Sequence, residues 1–298
     1  MNEHQQNPPP LHPKKLRIWQ QNINKSRNAQ QHMLRNLNPE EYDVALIQEL
    51  VINTVNLTTA NPKWNVVYPT THNRERATRT RSVILVNKLI SKDNWQTVPL
   101  DSPDVTAIEL RGAFGKTRIY NVYNDITHGE TLTTLENHFA DMNAQGENHV
   151  EGILLMGDFN RHHPMWDEAR NQHLFTAANL KATQPLLELL IAHDLVMALP
   201  ENLPTLEANS TENHTRPDNV FCTSHLLDAI TICDVRPDLR PTNTDHYPII
   251  TEIDLSPERT NPPLRKNYRA TNWEKFEKYL NEKLTALPPP AKSPQSRN

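Results

Sequence analysis

Glycine is scarce in this chain, with 6 residues in 298 against 24 prolines. Neither G-x-x-x-x-G-K-[ST] nor G-x-G-x-x-G occurs, which excludes both glycine-rich phosphate cradles. Any phosphate chemistry must therefore use side chains and a metal. Cysteine is nearly absent: Cys222 and Cys233 lie in apolar stretches without C-x-x-C spacing. They read as buried free thiols, which favour a reducing compartment. Long apolar runs are missing as well. The longest, residues 186–199, is interrupted by Glu188, His193 and Asp194, a pattern for an amphipathic helix and not for a membrane span. The opening MNEHQQNPPP lacks the apolar centre of a signal peptide, so the expected location is intracellular, with no membrane partner. A G-x-S-x-G turn is also missing, which disfavours a hydrolase of that kind.

Positive charge is in short supply too, at a formal net charge of −4. Affinity for nucleic acid comes largely from neutralising phosphates, so an acidic chain that bound DNA would concentrate its cations. Two places do so: Arg74, Arg76, Arg79 and Arg81, and Lys14, Lys15 and Arg17. A bound divalent cation would lessen the need for protein charge at the centre.

Strand-like and helix-like patterns alternate along the chain. Residues 1–13 are polar and proline-rich, an expected disordered tail. Short apolar runs predict strands at 16–20, 43–48, 64–68, 82–87, 105–111, 117–123, 152–156, 218–223, 230–235 and 247–253. Residues 112–116 read as a hairpin loop. Helical spacing predicts 26–37, with Ser26 as N-cap and Ala29, Met33, Leu34 and Leu37 on one face. It also predicts 129–143, through Leu132, Leu135, Phe139 and Met142, and 173–194. After Leu255 a linker leads to a helix at 271–284. There Thr271 and Glu274 have capping-box spacing, and Trp273, Phe276, Leu280 and Leu284 form a stripe. The expected organisation is a domain at 14–256, a linker and amphipathic helix at 257–287, and a disordered tail at 288–298. Many strands among few helices imply an α/β fold of two packed sheets flanked by helices.

The informative residues are polar groups at the ends of apolar strands, because strand ends share an edge and the loops there carry function. They are Asn22-Ile23-Asn24, Gln48-Glu49, Tyr123, Gly157-Asp158-Phe159-Asn160 and Asp245-His246, with Asp218 opening RPDNVF. Asn22 and Asn24 are two apart, as are Asp158 and Asn160, so each pair leaves an extended segment on one side. Glu49 directly follows the apolar VALIQ, and a carboxylate there should be paired or coordinated. His162 and His163 fit no helical zinc spacing.

In this order the elements NIN, QE, Tyr123, GDFN, RPD and TDH resemble the endonuclease/exonuclease/phosphatase (DNase I-like) superfamily over nearly all of residues 16–254. IYNVYNDITH, GDFNRHHPMWDEARN and PTLEAN…RPDNVF narrow the resemblance to endonuclease domains of LINE-type (non-LTR) retrotransposons, fungal type. WEKFEKYL is similar to the segment that joins such domains to a reverse transcriptase, to which this chain was once fused. The resemblance implies a four-layer α/β sandwich of mostly antiparallel sheets. It implies a Mg²⁺-dependent DNA endonuclease, with Mn²⁺ as substitute, that leaves a 3′-hydroxyl and a 5′-phosphate. It further implies a monomer that works in the nucleus when it acts on chromosomal DNA.

Roles carry over by position. Glu49 would be the principal metal ligand, helped by Asn22 and Asp245; Asp158 would orient or deprotonate water, and Asn160 would hold the scissile phosphate. His246, oriented by Asp218, would stabilise the transition state, and Tyr123 would contact the same phosphate. Thr205, Asn24 and the arginines at 74, 76, 79 and 81 would face DNA. Three departures stand out. Asn24 replaces the Asp of abasic-site repair relatives, Tyr123-Asn124-Asp125-Ile126 replaces Tyr-x-Pro-Asn, and Thr244 stands where Ser is frequent. The rival readings are a phosphatase or phosphodiesterase of the same fold, acting on inositol phosphates or lipids, and an idle mobile-element relic serving as a binding module. Against the relic, every expected catalytic position is filled.

Overall fold

The strand-forming runs are apolar at consecutive positions, and the computed structural model of the protein shows why: most central strands bury both faces. The structure describes residues 15–72, 80–144, 152–255 and 272–285. They fall into two units, within residues 1–260 and 261–298. In chain order the first unit contains β1 (Leu16–Asn22), α1 (Arg27–Asn36), β2 (Val44–Gln48), β3 (Trp64–Val67), β4 (Ser82–Asn87), β5 (Trp95–Val98), β6 (Val105–Gly112) and β7 (Gly115–Tyr123). It continues with α2 (Glu130–Ala144), β8 (Gly152–Asp158), α3 (Ala177–Ala192), β9 (Leu195–Met197), β10 (Leu206–Glu207), β11 (His214–Thr215), β12 (Asp218–Thr223), β13 (Ile230–Val235) and β14 (Ile249–Ile253). The second unit holds α4 (Trp273–Thr285).

Two six-stranded sheets form, in the orders β13-β14-β1-β2-β4-β3 and β5-β6-β7-β8-β12-β9, while β10 and β11 make a separate ribbon. Each sheet is antiparallel except for one pair. β1 runs parallel to β2 and β7 parallel to β8, with α1 and α2 as the crossovers that parallel pairing requires. The geometry has a functional consequence. A parallel pair brings two strand C-termini to one edge, so Asn22 lies opposite Gln48, and Tyr123 opposite Asp158. Antiparallel neighbours present their first residues there: Asp218 opens β12 opposite Asp158, and Ser82 opens β4 opposite Gln48.

Alternation within the strands builds the layers. Leu16, Ile18, Val44, Leu46, Ile84 and Val86 of the first sheet meet Ile108, Leu110, Ile119, Leu154, Met156 and Val220 of the second. The alternate positions Trp19, Ala45, Ile47, Val83 and Leu85 pack on Ala29, Met33 and Leu37 of α1. On the other side, Tyr120, Val122, Leu155 and Phe221 lie against Leu132, Leu135 and Phe139 of α2 and Leu186, Leu189 and Leu190 of α3. Each such side chain contributes roughly 1.5–3 kcal/mol by leaving water. The result is the expected four-layer α/β sandwich.

Local chemistry modifies several boundaries. Ser26 caps α1, its hydroxyl accepting the Ala29 N–H at 3.2 Å. The helix expected over 173–194 is divided: a 3₁₀ segment, Ala169–Leu174, precedes α3, and Thr176 caps α3 by accepting the Asn179 N–H at 3.2 Å. Thr271 lies outside the described residues; the cap seen on α4 is Asn272, whose Oδ1 accepts the Lys275 N–H at 2.9 Å. Strands β5, β9, β10 and β11 were not anticipated, being too short to show a period. Cys222 is buried, Cys233 half-buried, and both are free. The apolar residues Trp273, Phe276, Tyr279 and Leu280 of α4 are exposed. Among the described residues no helix is long and apolar enough to cross a membrane. The expected terminal tails and most of the linker lie outside the described residues.

Candidate active site

The chain leaves its strands at this edge through sharp turns. Asn24, Lys25, Glu49 and Asn160 all have left-handed backbones, with φ of 48°, 51°, 49° and 49°. Non-glycine residues in that region cost of order 1–3 kcal/mol each and persist only where the surroundings hold them. Beneath them the interface between the sheets turns polar. Asn121 Nδ2 donates to the carbonyls of Ile47 at 3.0 Å and Val83 at 2.9 Å, and Gln48 Nε2 donates to Asn121 Oδ1. Gln20 Nε2 donates to the Gly157 carbonyl at 3.1 Å. These bonds cross from one sheet to the other and lock the two edges together.

Above this layer the structure gathers Asp158, Asp218 and His246, all buried, with ligating atoms within 4.8 Å of one another. His246 Nδ1 lies 2.8 Å from Asp218 Oδ2. A carboxylate only accepts, so Nδ1 carries the proton and Nε2 is left for another partner. Asp158 accepts the Asn22 amide at 2.8 Å and the Asn160 backbone N–H at 2.9 Å. Burial, then the Asp218 charge, raises the Asp158 pKa to about 7, against opposing pulls from His246, Asn22 and the Asn160 N–H. Burial by itself would lower the His246 pKa; the Asp218, Asp158 and Asp245 carboxylates outweigh it and raise it to about 10. Such a cluster can receive a proton at Asp158 and hold one at His246 near neutrality.

The remaining candidates ring this cluster. Glu49 Oε1 meets the Lys25 ammonium at 2.8 Å, and its carboxylate also accepts the Tyr123 hydroxyl. The Tyr123 pKa is raised by burial and then by the Glu49 and Asp158 charges. Asn24 is exposed and reaches Asp245 Oδ1 with its amide at 3.4 Å, while Asp245 lies 3.9 Å from His246 Nε2. Asn160 Nδ2 donates to the Asn124 carbonyl at 3.1 Å.

Two expected DNA contacts are placed otherwise. Thr205 is fully buried, and its hydroxyl donates to Asp218 Oδ2 at 2.8 Å; it braces the dyad and has no surface to offer DNA. Arg81 is engaged by Asp104 and Asp125 and stacks on the Tyr123 ring. Arg74, Arg76 and Arg79 lie outside the described residues. The compact metal-capable cluster is Asp158–Asp218–His246, and Glu49 and Asp245 are not members of it. Arg216 was not anticipated either. Fully buried, it donates to the carbonyls of Leu199, Pro200 and Trp166 and to Asn219 Oδ1, tying two loops to the start of β12. Its only sequence signal is its place in RPD beside Asp218. His162 pairs with Asp167 at 3.0 Å, a bond between neighbours in one loop.

This arrangement of two sheets with the buried cluster at their shared edge recurs in solved structures. The endonuclease domain of TRAS1, a telomere-specific non-LTR retrotransposon, superposes with a TM-score of 0.59 at 20% identity, over 80% of this chain and 99% of that one. AP endonuclease LMAP from Leishmania major gives 0.65 at 12% identity, over 83% and 88%. The 3′ phosphatase NExo from Neisseria, bound to a product DNA hairpin, gives 0.56 at 15% identity, over 80% and 100%. In sequence, residues 117–250 match the family described as endonuclease-reverse transcriptase. The chain belongs to the DNase I-like superfamily. No curated protein matches it in sequence. The DNase I-like frame accounts for the pairing of β1–α1–β2 with β7–α2–β8, since each unit delivers one half of the edge. Within the superfamily, both the family match and the TRAS1 domain agree with the retrotransposon-type resemblance carried by GDFNRHHPMWDEARN.

Proposed function

We propose that this protein is a Mg²⁺-dependent DNA endonuclease of retrotransposon type, which nicks one strand to leave a 3′-hydroxyl and a 5′-phosphate. The observation that carries this reading is the buried Asp218–His246 pair, 2.8 Å apart, facing Asp158 within one cluster. That is a phosphoryl-transfer constellation: one group positioned to take a proton, one to hold positive charge.

The residues also fit a hard divalent cation. The proposed ligands Glu49, Asn22 and Asp245 offer oxygen donors, as Mg²⁺ requires. In the structure the exposed Lys25 ammonium already sets a positive charge against Glu49. Asp218 Oδ1 is buried without a hydrogen-bond partner, a further sign that this edge is built for an added group. When bound, Mg²⁺ (or Mn²⁺) supplies charge stabilisation at the phosphate and the leaving oxygen.

The protein's own groups divide the remaining work. Asp158, held by Asn22 and Asn160, orients the attacking water and receives its proton. His246, held by Asp218 and through it by Thr205, directs its Nε2–H at a phosphate oxygen, where negative charge grows. Tyr123 and Asn160 line the phosphate site. Work on chromosomal DNA would place the protein in the nucleus, and the 3′-hydroxyl product is the end a reverse transcriptase extends.

The test is relaxation of supercoiled plasmid with Mg²⁺, with EDTA and with Glu49→Ala. Open circles should form with Mg²⁺ alone, and Glu49→Ala should slow them about 100-fold or more. Undiminished nicking by Glu49→Ala would remove Glu49 from the centre. An intact plasmid with folded wild-type protein would sink the DNA reading and turn attention to phosphorylated inositols.

A further inference from the structure

Arg81 stands at the junction of the two halves of the edge, and its bonds are unusually complete. Its Nε donates to Asp104 Oδ1 at 2.6 Å and its Nη2 to Asp104 Oδ2 at 2.5 Å, a bidentate fork, while Nη1 donates to Asp125. Asp104 is almost fully buried, and the Arg81 side chain is only 19% exposed. Asp125 is fixed in turn by the Thr127 N–H at 2.7 Å and the Thr127 hydroxyl at 2.6 Å. The guanidinium carbon lies 4.8 Å from the centre of the Tyr123 ring, within cation–π range. The backbone joins in: the Arg81 carbonyl accepts the Glu49 N–H at 2.8 Å, and the Asp104 carbonyl accepts the Tyr123 N–H at 2.8 Å.

We propose that Arg81, gripped by Asp104 and Asp125, is a positioning residue that sets the Tyr123 ring and the Glu49 turn at the reaction edge, and is not a contact to the DNA backbone. This rests on the endonuclease reading. One cation here faces two carboxylates, so the site is locally anionic and repels a phosphate. Every donor-bearing nitrogen of the guanidinium already has a carboxylate partner. The device is tied to this chain's departure from Tyr-x-Pro-Asn. In Tyr123-Asn124-Asp125-Ile126 the third position is Asp125, and a proline there could offer Arg81 no carboxylate.

The experiment compares Arg81→Gln, Asp125→Asn, Tyr123→Phe and the Arg81→Gln/Tyr123→Phe double variant. Plasmid nicking is measured with Mg²⁺, and DNA binding is measured against salt without metal. Arg81→Gln should lower kcat about 10- to 100-fold, the scale of a misplaced catalytic group, with KM within about twofold of wild type. Its salt slope should be unchanged, whereas a lost phosphate contact would reduce the slope by about 0.9. Tyr123→Phe should add less than about twofold in the Arg81→Gln background, because both changes remove one function. Protein labelled with 3-fluorotyrosine gives a readout free of cleavage: the Tyr123 fluorine line, assigned by its loss in Tyr123→Phe, should move in Arg81→Gln. If Arg81→Gln fails to fold, Asp125→Asn carries the same comparisons with smaller losses. A reduced salt slope, multiplicative losses in the double variant, or an unmoved Tyr123 line each overturns the proposal. Failure of the wild type to nick sinks the endonuclease reading alone, and the salt slope and fluorine line still decide the place of Arg81.

Discussion

Replacing His246 by alanine is expected to slow nicking by roughly 10²- to 10⁴-fold, the usual worth of a positioned proton donor, while DNA binding persists. The imidazole touches no other group that alanine could replace. Its Nδ1 is held by Asp218 at 2.8 Å, and Asp218 is held by Thr205 at 2.8 Å. Deleting the ring also leaves Asp218 buried opposite no cation, which costs about 3–5 kcal/mol when a buried pair is broken. The double change His246→Ala/Asp218→Asn removes that penalty and should recover stability without recovering rate. Residual activity within tenfold of wild type in either variant would take His246 out of the chemistry. The same pair sets a pH dependence. The His246 pKa is raised to about 10, so the cationic form is present below that pH and is lost above it. Asp218→Asn should bring this alkaline limb towards neutrality, and an unmoved limb would assign it to another group.

Gly157→Ala is expected to destabilise the domain by about 3–5 kcal/mol, the range reserved for severe single changes, and to abolish nicking. Gly157 has φ of +146°, and a β-carbon there would lie 2.0 Å from the Val122 carbonyl oxygen and 2.8 Å from the Val122 nitrogen. Both obstacles are backbone atoms, so no rotamer change relieves them. Val122 is the β7 residue paired with Gly157, and the next pair is Tyr123 with Asp158. Pushing β8 from β7 therefore separates two of the proposed catalytic residues and strains the Gln20 bond to the Gly157 carbonyl. Urea denaturation of the two proteins measures this directly. A loss below about 1 kcal/mol would mean that the strand shifts without cost.

Much of the architecture was legible because period-2 runs such as VALIQ and GILLM leave few alternatives once both faces are apolar. The Ser26 cap and the buried faces of α1 and α2 were legible for the same reason, being local. Strands β9 to β11 were not, since two or three residues carry no period. Asn272 rather than Thr271 as the seen cap of α4 shows the ordinary uncertainty of one residue at a helix end.

At the site the division follows range. Residue type and position after a buried strand marked Asn22, Glu49, Tyr123, Asp158 and His246, because a polar group there needs a partner. Which partner each found was not written locally. Thr205 and Arg81 carry the chemistry of DNA contacts in the sequence, yet one is sealed beneath Asp218 and the other is clamped between Asp104 and Asp125. Arg216, Gln20 and Asn121 gave no signal at all, since their bonds run to backbone carbonyls far along the chain. The sequence by itself determined the class of fold, the strand ends and the set of chemically capable residues, because those depend on short-range pattern. Only the tertiary structure decided which of them meet, through the parallel pairings β1–β2 and β7–β8 and the sheet-to-sheet packing. Hydrogen bonds and ion pairs act over about 3 Å, and that distance is set by packing between segments that the chain order leaves far apart.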